Sequence, residues 1–133
     1  MAAVMEEKAF VGLREIALLI FSAAALFMLI SLLTFNNEDA GWTHSGAITS
    51  IKNSCGVIGA WLSDFILSLF GLMGYLFPVM FAWAGYLIYR DNLHYGSLPI
   101  ILMRYIGFIF TIAFGTAFVY LHLPRVNIDL PGG

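Results

Sequence analysis

Apolar residues run in long blocks along this chain, and polar residues gather in the seams between them. Residues 16–35 read IALLIFSAAALFMLISLLTF, twenty in a row without a charge. At 1.5 Å per residue such a helix measures about 30 Å, the thickness of a bilayer's hydrocarbon core. A transmembrane span is therefore expected over about 16–36. Before it stands a polar head, residues 1–15, holding Glu6, Glu7, Lys8, Arg14 and Glu15. A cleaved signal sequence has a shorter apolar region and ends at a small-x-small site. Here the run exits through Asn36 and Asn37, so it reads as a retained signal-anchor. Its small residues 22–25 permit close approach of another helix backbone.

The first seam, residues 37–53, carries Glu38, Asp39, Gly41, Trp42, His44, Gly46 and Lys52. The glycines suit tight turns. From 56 to 89 the chain is apolar again, with Asp64 as its only charge. A helix of that length would measure about 50 Å, too long for one simple span. Periodicity divides it. Gly56, Ala60, Asp64 and Ser68 recur every fourth residue with Ser63 beside them, a small and polar stripe. Val57, Ile58, Trp61, Leu62, Phe65, Leu69 and Phe70 fill the rest. This pattern predicts an amphipathic helix lying at the membrane surface or packed on a neighbour. Gly71 and Gly74 mark a break, and the second span is expected over about 72–90, with Pro78 near its start, where a missing N–H costs least.

A polar connector, RDNLHYGSLP, separates this from a last span over about 100–121. Arg104 can snorkel from its first turn, and Tyr105 and Tyr120 flank it as interfacial aromatics do. Gly107, Thr111 and Gly115 fall at i, i+4 and i+8, a face suited to helix packing. Basic residues near spans mark the cytoplasmic side. Lys8 and Arg14 in the head, and Arg90 with Arg104, point both regions to the cytoplasm. The loop with the interfacial helix, 37–71, and the tail, 122–133, then face the other side. The expected fold is thus an all-α membrane protein with three transmembrane helices and one amphipathic interfacial helix.

Composition agrees: 61% of the 133 residues are hydrophobic, 11% are charged, and the mean hydropathy is +0.90. Six scattered Lys and Arg residues and a net charge of −2 do not make the clustered basic surface that grips nucleic acid. The single cysteine, Cys55, excludes an intrachain disulfide and reads as a small apolar filler. Neither lysine follows a glycine run of the G-x-x-x-x-G-K-[ST] kind, so no nucleotide site is expected. His44, His94 and His122 lie in separate connectors and read as interfacial residues, not ligands. A triad from Ser45, His44 and Asp39 lacks any supporting motif. No cofactor or metal site is expected in these residues. Asp64 could serve as a proton site if it lay in a span, since ionisable groups at membrane depth mark transport pathways. In an interfacial helix it reads as a hydrated or hydrogen-bonded group at the interface, or as a contact to a neighbouring chain.

Several stretches together resemble one family. The turn DAGW, residues 39–42, resembles the D-P-G-W-S turn after the first span of FtsK/SpoIIIE-type bacterial DNA translocases. NSCGVIGAWLSDFILSLFGLMGYLFP, residues 53–78, is similar to that family's N-x-x-G-x-x-G-A-W-L-A-D…F-G…A-Y…P stretch. The ending LPGG looks like the glycine-rich loop before the family's last membrane span. Ala40 and Thr43 depart from the family's proline and serine, and a fourth span is absent. The resemblance implies a membrane-anchoring N-terminal domain, without the linker and the ATP- and magnesium-using hexameric motor that pumps DNA and serves chromosome-dimer resolution. It implies a multi-pass protein of the bacterial inner membrane, concentrated at the division septum. Its partners would be lipid, other division proteins and further copies of itself, with DNA reached only through the motor.

Candidate interfacial or partner-contact residues are Asp39, Gly41, Trp42, Gly56, Ala60, Trp61 and Asp64. A different reading, a small transporter or channel subunit, would need polar groups facing a pore, and Thr111 and Ser22 supply little. A membrane-lesion protein of the holin kind would call for a strongly charged tail, which this chain lacks.

Overall fold

The computed structural model describes residues 2–43, 51–90 and 98–122, the side chains of 2–10, 98 and 101 excepted. Gly46, His44, Ser45, His94, the connector 91–97 and the tail from 123, with its LPGG ending, lie outside the described residues. The described residues form helices α1 (Ala2–Leu33), α2 (Gly56–Phe70), α3 (Leu76–Arg90) and α4 (Leu98–His122), with a 3-10 turn, Gly71–Tyr75, joining α2 to α3. No strand occurs among them.

Helix α1 begins well before the apolar run. Its first residues are rich in Ala, Met, Glu and Lys, good helix formers, so the polar head is part of the same helix. Among the described residues, three stretches are long and apolar enough to cross a membrane: Val11–Leu33, Gly56–Arg90 and Leu102–His122. The second contains both α2 and α3, so length and composition alone do not part the expected interfacial helix from the span behind it. The backbone parts them. Gly71 has φ 51°, ψ −135°, a conformation that suits a residue without Cβ. Three residues on, a Cβ at Gly74 would stand 2.7 Å from Ile66 Cγ2. In an uninterrupted helix those two residues would be about 12 Å apart along the axis, so the chain folds back at the turn. Pro78 then sits in the first turn of α3, where no intrahelical N–H is required.

α1 and α3 run antiparallel. Tyr75 donates its hydroxyl to the Leu32 carbonyl at 3.1 Å, while further along the Phe21 and Phe81 rings lie 6.0 Å apart. Gly85 lets the backbones meet there, since a Cβ on it would stand 2.6 Å from Phe21 Cβ. α4 packs on the 3-10 turn and the end of α2, and touches α3 near its start. Phe108 meets Phe77 edge-on at 5.6 Å, and Thr116 donates to the Phe70 carbonyl at 3.3 Å. The end of α1, α2, the 3-10 turn and the second half of α4 are therefore gathered at one end of the bundle.

The core is small: Leu32, Ile66 and Leu67, with Met28, Phe35, Leu62, Phe70, Tyr75 and Phe77 packed against them. Large apolar side chains elsewhere point outward, among them Leu19, Met103, Phe114 and Leu121. Water would penalise that surface heavily. Lipid does not, and there helices associate through close packing and hydrogen bonds.

Candidate functional site

Two carboxylates organise the loop between α1 and α2, and both are buried. Asp39 accepts the backbone N–H groups of Lys52 and Asn53, each at 2.8 Å. It ties the start of the loop to its end. Asp64, just past the middle of α2, accepts from Thr43 N at 2.7 Å and from Thr43 Oγ1 at 2.9 and 3.0 Å. Ser68 Oγ adds a longer bond at 3.4 Å. Hydrogen bonds to a charged acceptor are the strong kind, and here they bring residues 39–43 down onto the polar stripe of α2.

Gly41 belongs to the same contact, for a reason other than turning. Positive φ among the described residues occurs at Gly56 (φ 68°) and Gly71 (φ 51°), not at Gly41. A Cβ at Gly41 would instead press into the Asp64 carboxylate, 2.7 Å from its Cγ and 2.9 Å from its Cβ. The sequence suggests a turn glycine; the structure makes it a close-approach glycine.

Beneath the loop, Asn53 is the hub. Its Nδ2 donates to the Ser31 carbonyl at 2.9 Å and to Ser63 Oγ at 3.4 Å, and its Oδ1 accepts from Cys55 N at 2.9 Å. Ser63 Oγ in turn donates back to Gly59 O at 2.8 Å. Gly59 leaves room for this knot, since its Cβ would stand 2.5 Å from Asn53 Oδ1 and 2.9 Å from Ser31 Oγ. A buried polar network of this sort holds only when its members find partners. Asn53 matched the family string but no role could be read for it from spacing. The available signal was a polar residue directly before a glycine-rich helix start.

The other candidates fall in two groups. Ala60 is buried with Asp64, and Gly56 opens α2. Trp42 and Trp61 are both 49% exposed. Trp42 meets Phe65 edge-on at 5.2 Å, an orientation favoured by the ring quadrupole. On α4 the expected packing face divides. Gly115 lies against Met73, with a Cβ there 2.8 Å from the sulfur. Nothing lies within 4 Å of a Cβ at Gly107, and exposed Thr111 donates to the Gly107 carbonyl at 2.8 Å. His122 stacks on Phe118, ring centroids 4.5 Å apart.

At the surface, Lys52 Nζ donates to Glu38. That hydrogen bond, and then the Glu38 charge, hold the Lys52 ammonium above its ordinary pKa. No group of three or more His, Cys, Asp or Glu side chains among the described residues could hold a metal ion. A cavity of about 390 Å³ opens between the 3-10 turn and α4, lined by Leu69, Phe70, Gly71, Leu72, Ala113, Thr116, Ala117, Val119 and Tyr120. The arrangement is one of hydrogen-bonded fasteners beneath an exposed apolar surface.

Comparison with known proteins places the chain in a family. Residues 12–133 match the family described as the 4TM region of DNA translocase FtsK/SpoIIIE. The chain is similar to DNA translocase FtsK of Shewanella oneidensis, 35% identical over 124 residues, covering 91% of this chain and 14% of that protein. It is similar to DNA translocase FtsK of Pseudomonas syringae pv. syringae, 30% identical over 123 residues, covering 90% of this chain and 15% of the relative. The Pseudomonas aeruginosa DNA translocase FtsK is 29% identical over 116 residues, 83% of this chain and 14% of its own length. The chain thus spans about 15% of the length of such relatives. No solved structure matches it. With three apolar helices of spanning length and a match over nearly all its residues, the chain is a membrane protein and belongs to the FtsK/SpoIIIE 4TM family.

Proposed function

We propose that these residues are the membrane anchor and interaction scaffold of an FtsK-like DNA translocase that couples chromosome segregation to cell division. The observation that carries the reading is the family match over residues 12–133, joined to three candidate spans. On this reading the chain sits in the bacterial inner membrane and concentrates at the division septum. The head and the second connector lie in the cytoplasm, and the loop, α2 at the membrane interface and the tail face the periplasm. No catalysis is assigned to these residues. ATP, magnesium and DNA are handled by the motor of the parent protein.

The exposed rings of Trp42 and Trp61 offer a contact surface whose shape depends on Asp39, Gly41, Gly56, Ala60 and Asp64. Gly107 and Thr111 offer α4 a close-packing face for a neighbouring helix. Further copies of the chain are expected partners, up to the hexamer that the family's motor implies, as are other septal membrane proteins. A transport role gains no support from Asp64, whose carboxylate is engaged by Thr43.

A fluorescent fusion to residues 1–133 tests the reading in dividing cells. A band at the septum is expected, and an even distribution around the envelope would overturn the septal role. A periplasm-active reporter joined after Trp42 should be active and one after Asn92 silent; the reverse result would invert the topology.

A further inference from the structure

α2 has its polarity inside out. At 100° per residue, Val57, Ile58, Trp61, Phe65 and Leu69 fall within an arc of about 120°. All five are exposed, Ile58 to 72%. No charged residue shares the arc, and Ser68, which lies within it beside Val57, is half-buried and turns its hydroxyl to Asp64. The remaining two thirds of the helix is covered: Gly59, Ala60, Ser63, Asp64, Ile66 and Leu67 are buried. A surface helix of the usual amphipathic kind keeps its polar side in water. Here the turn at residues 41–43 and the end of α1 cover most of the polar stripe, and the fully exposed side chains of α2 are all apolar.

The level of the helix is marked at both ends. Cys55, just before α2, has its sulfur 3.5 Å from the Phe27 carbonyl. Gly59 sits against Ser31. Tyr75, the last residue of the 3-10 turn, bonds the Leu32 carbonyl. α2 therefore crosses α1 at residues 27–32, inside the apolar stretch Val11–Leu33. Phe27 lies about 9 Å below Leu33 along the axis. At the same level α1 exposes Leu26, Phe27, Ile30 and Leu33, so the outward arc of α2 continues the apolar surface of a spanning helix.

We infer that α2 is sunk into one leaflet, its Val57–Trp61–Phe65 arc in contact with the acyl chains near their carbonyl ends and its polar stripe sealed from water by the loop. This deepens the interfacial placement of α2 proposed above and rests on membrane anchoring, not on the septal role. The ligand of the Trp61 surface is lipid.

Single-tryptophan proteins in liposomes test this. Trp42→Phe with Trp83→Phe leaves Trp61, and Trp42→Phe with Trp61→Phe leaves Trp83, which is 60% exposed on α3. In lipids brominated near the carbonyl end of the acyl chain, Trp61 should lose most of its fluorescence, while aqueous acrylamide should leave it nearly unchanged. Quenching by acrylamide and not by bromolipid would overturn the inference. If Trp83 responds to bromolipid and Trp61 does not, immersion of α2 falls and anchoring stands. If neither responds, anchoring falls too. Ile58→Cys in a Cys55→Ala background gives an independent reading. A charged maleimide should fail to label it in intact liposomes and label it fully in SDS, and rapid labelling in intact liposomes would refute the immersion.

Discussion

Gly41 packs against the carboxylate of Asp64 so closely that a methyl group at position 41 would occupy the place of Asp64's own side chain. Gly41→Ala therefore forces one of the two apart, with a cost of about 1–3 kcal/mol for overpacking. Thr43 should lose its hold on Asp64 as a result. A lower Tm in detergent and faster proteolysis of the loop check this. A variant as stable as the parent would show that the loop can lift without loss.

Asp39→Ala leaves the N–H groups of Lys52 and Asn53 without their acceptor, a cost of about 1–3 kcal/mol for each that stays buried. Asp39→Asn keeps one carbonyl oxygen and should fall between the parent and Asp39→Ala. Hydrogen exchange of the Lys52 and Asn53 amides is the direct measurement, with protection lost in the order parent, Asn, Ala.

Gly85 and Gly107 form a matched pair for testing helix packing. Gly85→Ala drives a methyl into Phe21 and should part α1 from α3, costing about 1–3 kcal/mol. Gly107→Ala meets nothing within 4 Å in this chain and should leave its Tm unchanged. Loss of self-association in Gly107→Ala at unaltered Tm would mark that face as a contact between copies.

The Lys52–Glu38 pair gives a pH dependence at the alkaline end. Because the folded protein holds Lys52's pKa above its ordinary value, the pair's contribution is complete below that ordinary value. It is lost as the pH rises through the raised one. Loop proteolysis should therefore accelerate in strongly alkaline buffer in the parent and show a flatter profile in Lys52→Ala. Both side chains are well exposed, so the effect at neutral pH should be small.

Much of the architecture can be read from the chain because lipid imposes a simple rule on length: residues 16–35 and 100–121 admit hardly any other role. The break at Gly71 is legible too, since an apolar helix of that length has nowhere to go. The stripe of Gly56, Ala60, Asp64 and Ser68 is legible only as a stripe. Period says which residues share a face, not what lies against it, and of the two settings open to the stripe it is packing, by Thr43 and Gly41, that covers Asp64. Asn53 was beyond reach for the same reason. Its partners, Ser31 and Ser63, stand 22 and 10 residues away, and no local pattern brings them together.

The last carbonyls of α1 have a consequence for how the domain is born. Ser31 O is taken by Asn53, and Leu32 O by Tyr75. In a bilayer an orphan carbonyl costs several kcal/mol, and the final turn of any helix leaves such groups behind. As the chain emerges, α1 can enter the membrane alone, but its last turn is finished by residues made twenty and forty positions later. Phe35 N gives Leu32 O a long bond at 3.5 Å, and Tyr75 adds the shorter one. The loop, α2 and the 3-10 turn are in that sense a C-cap for the first span that the chain supplies only after the span itself has been made.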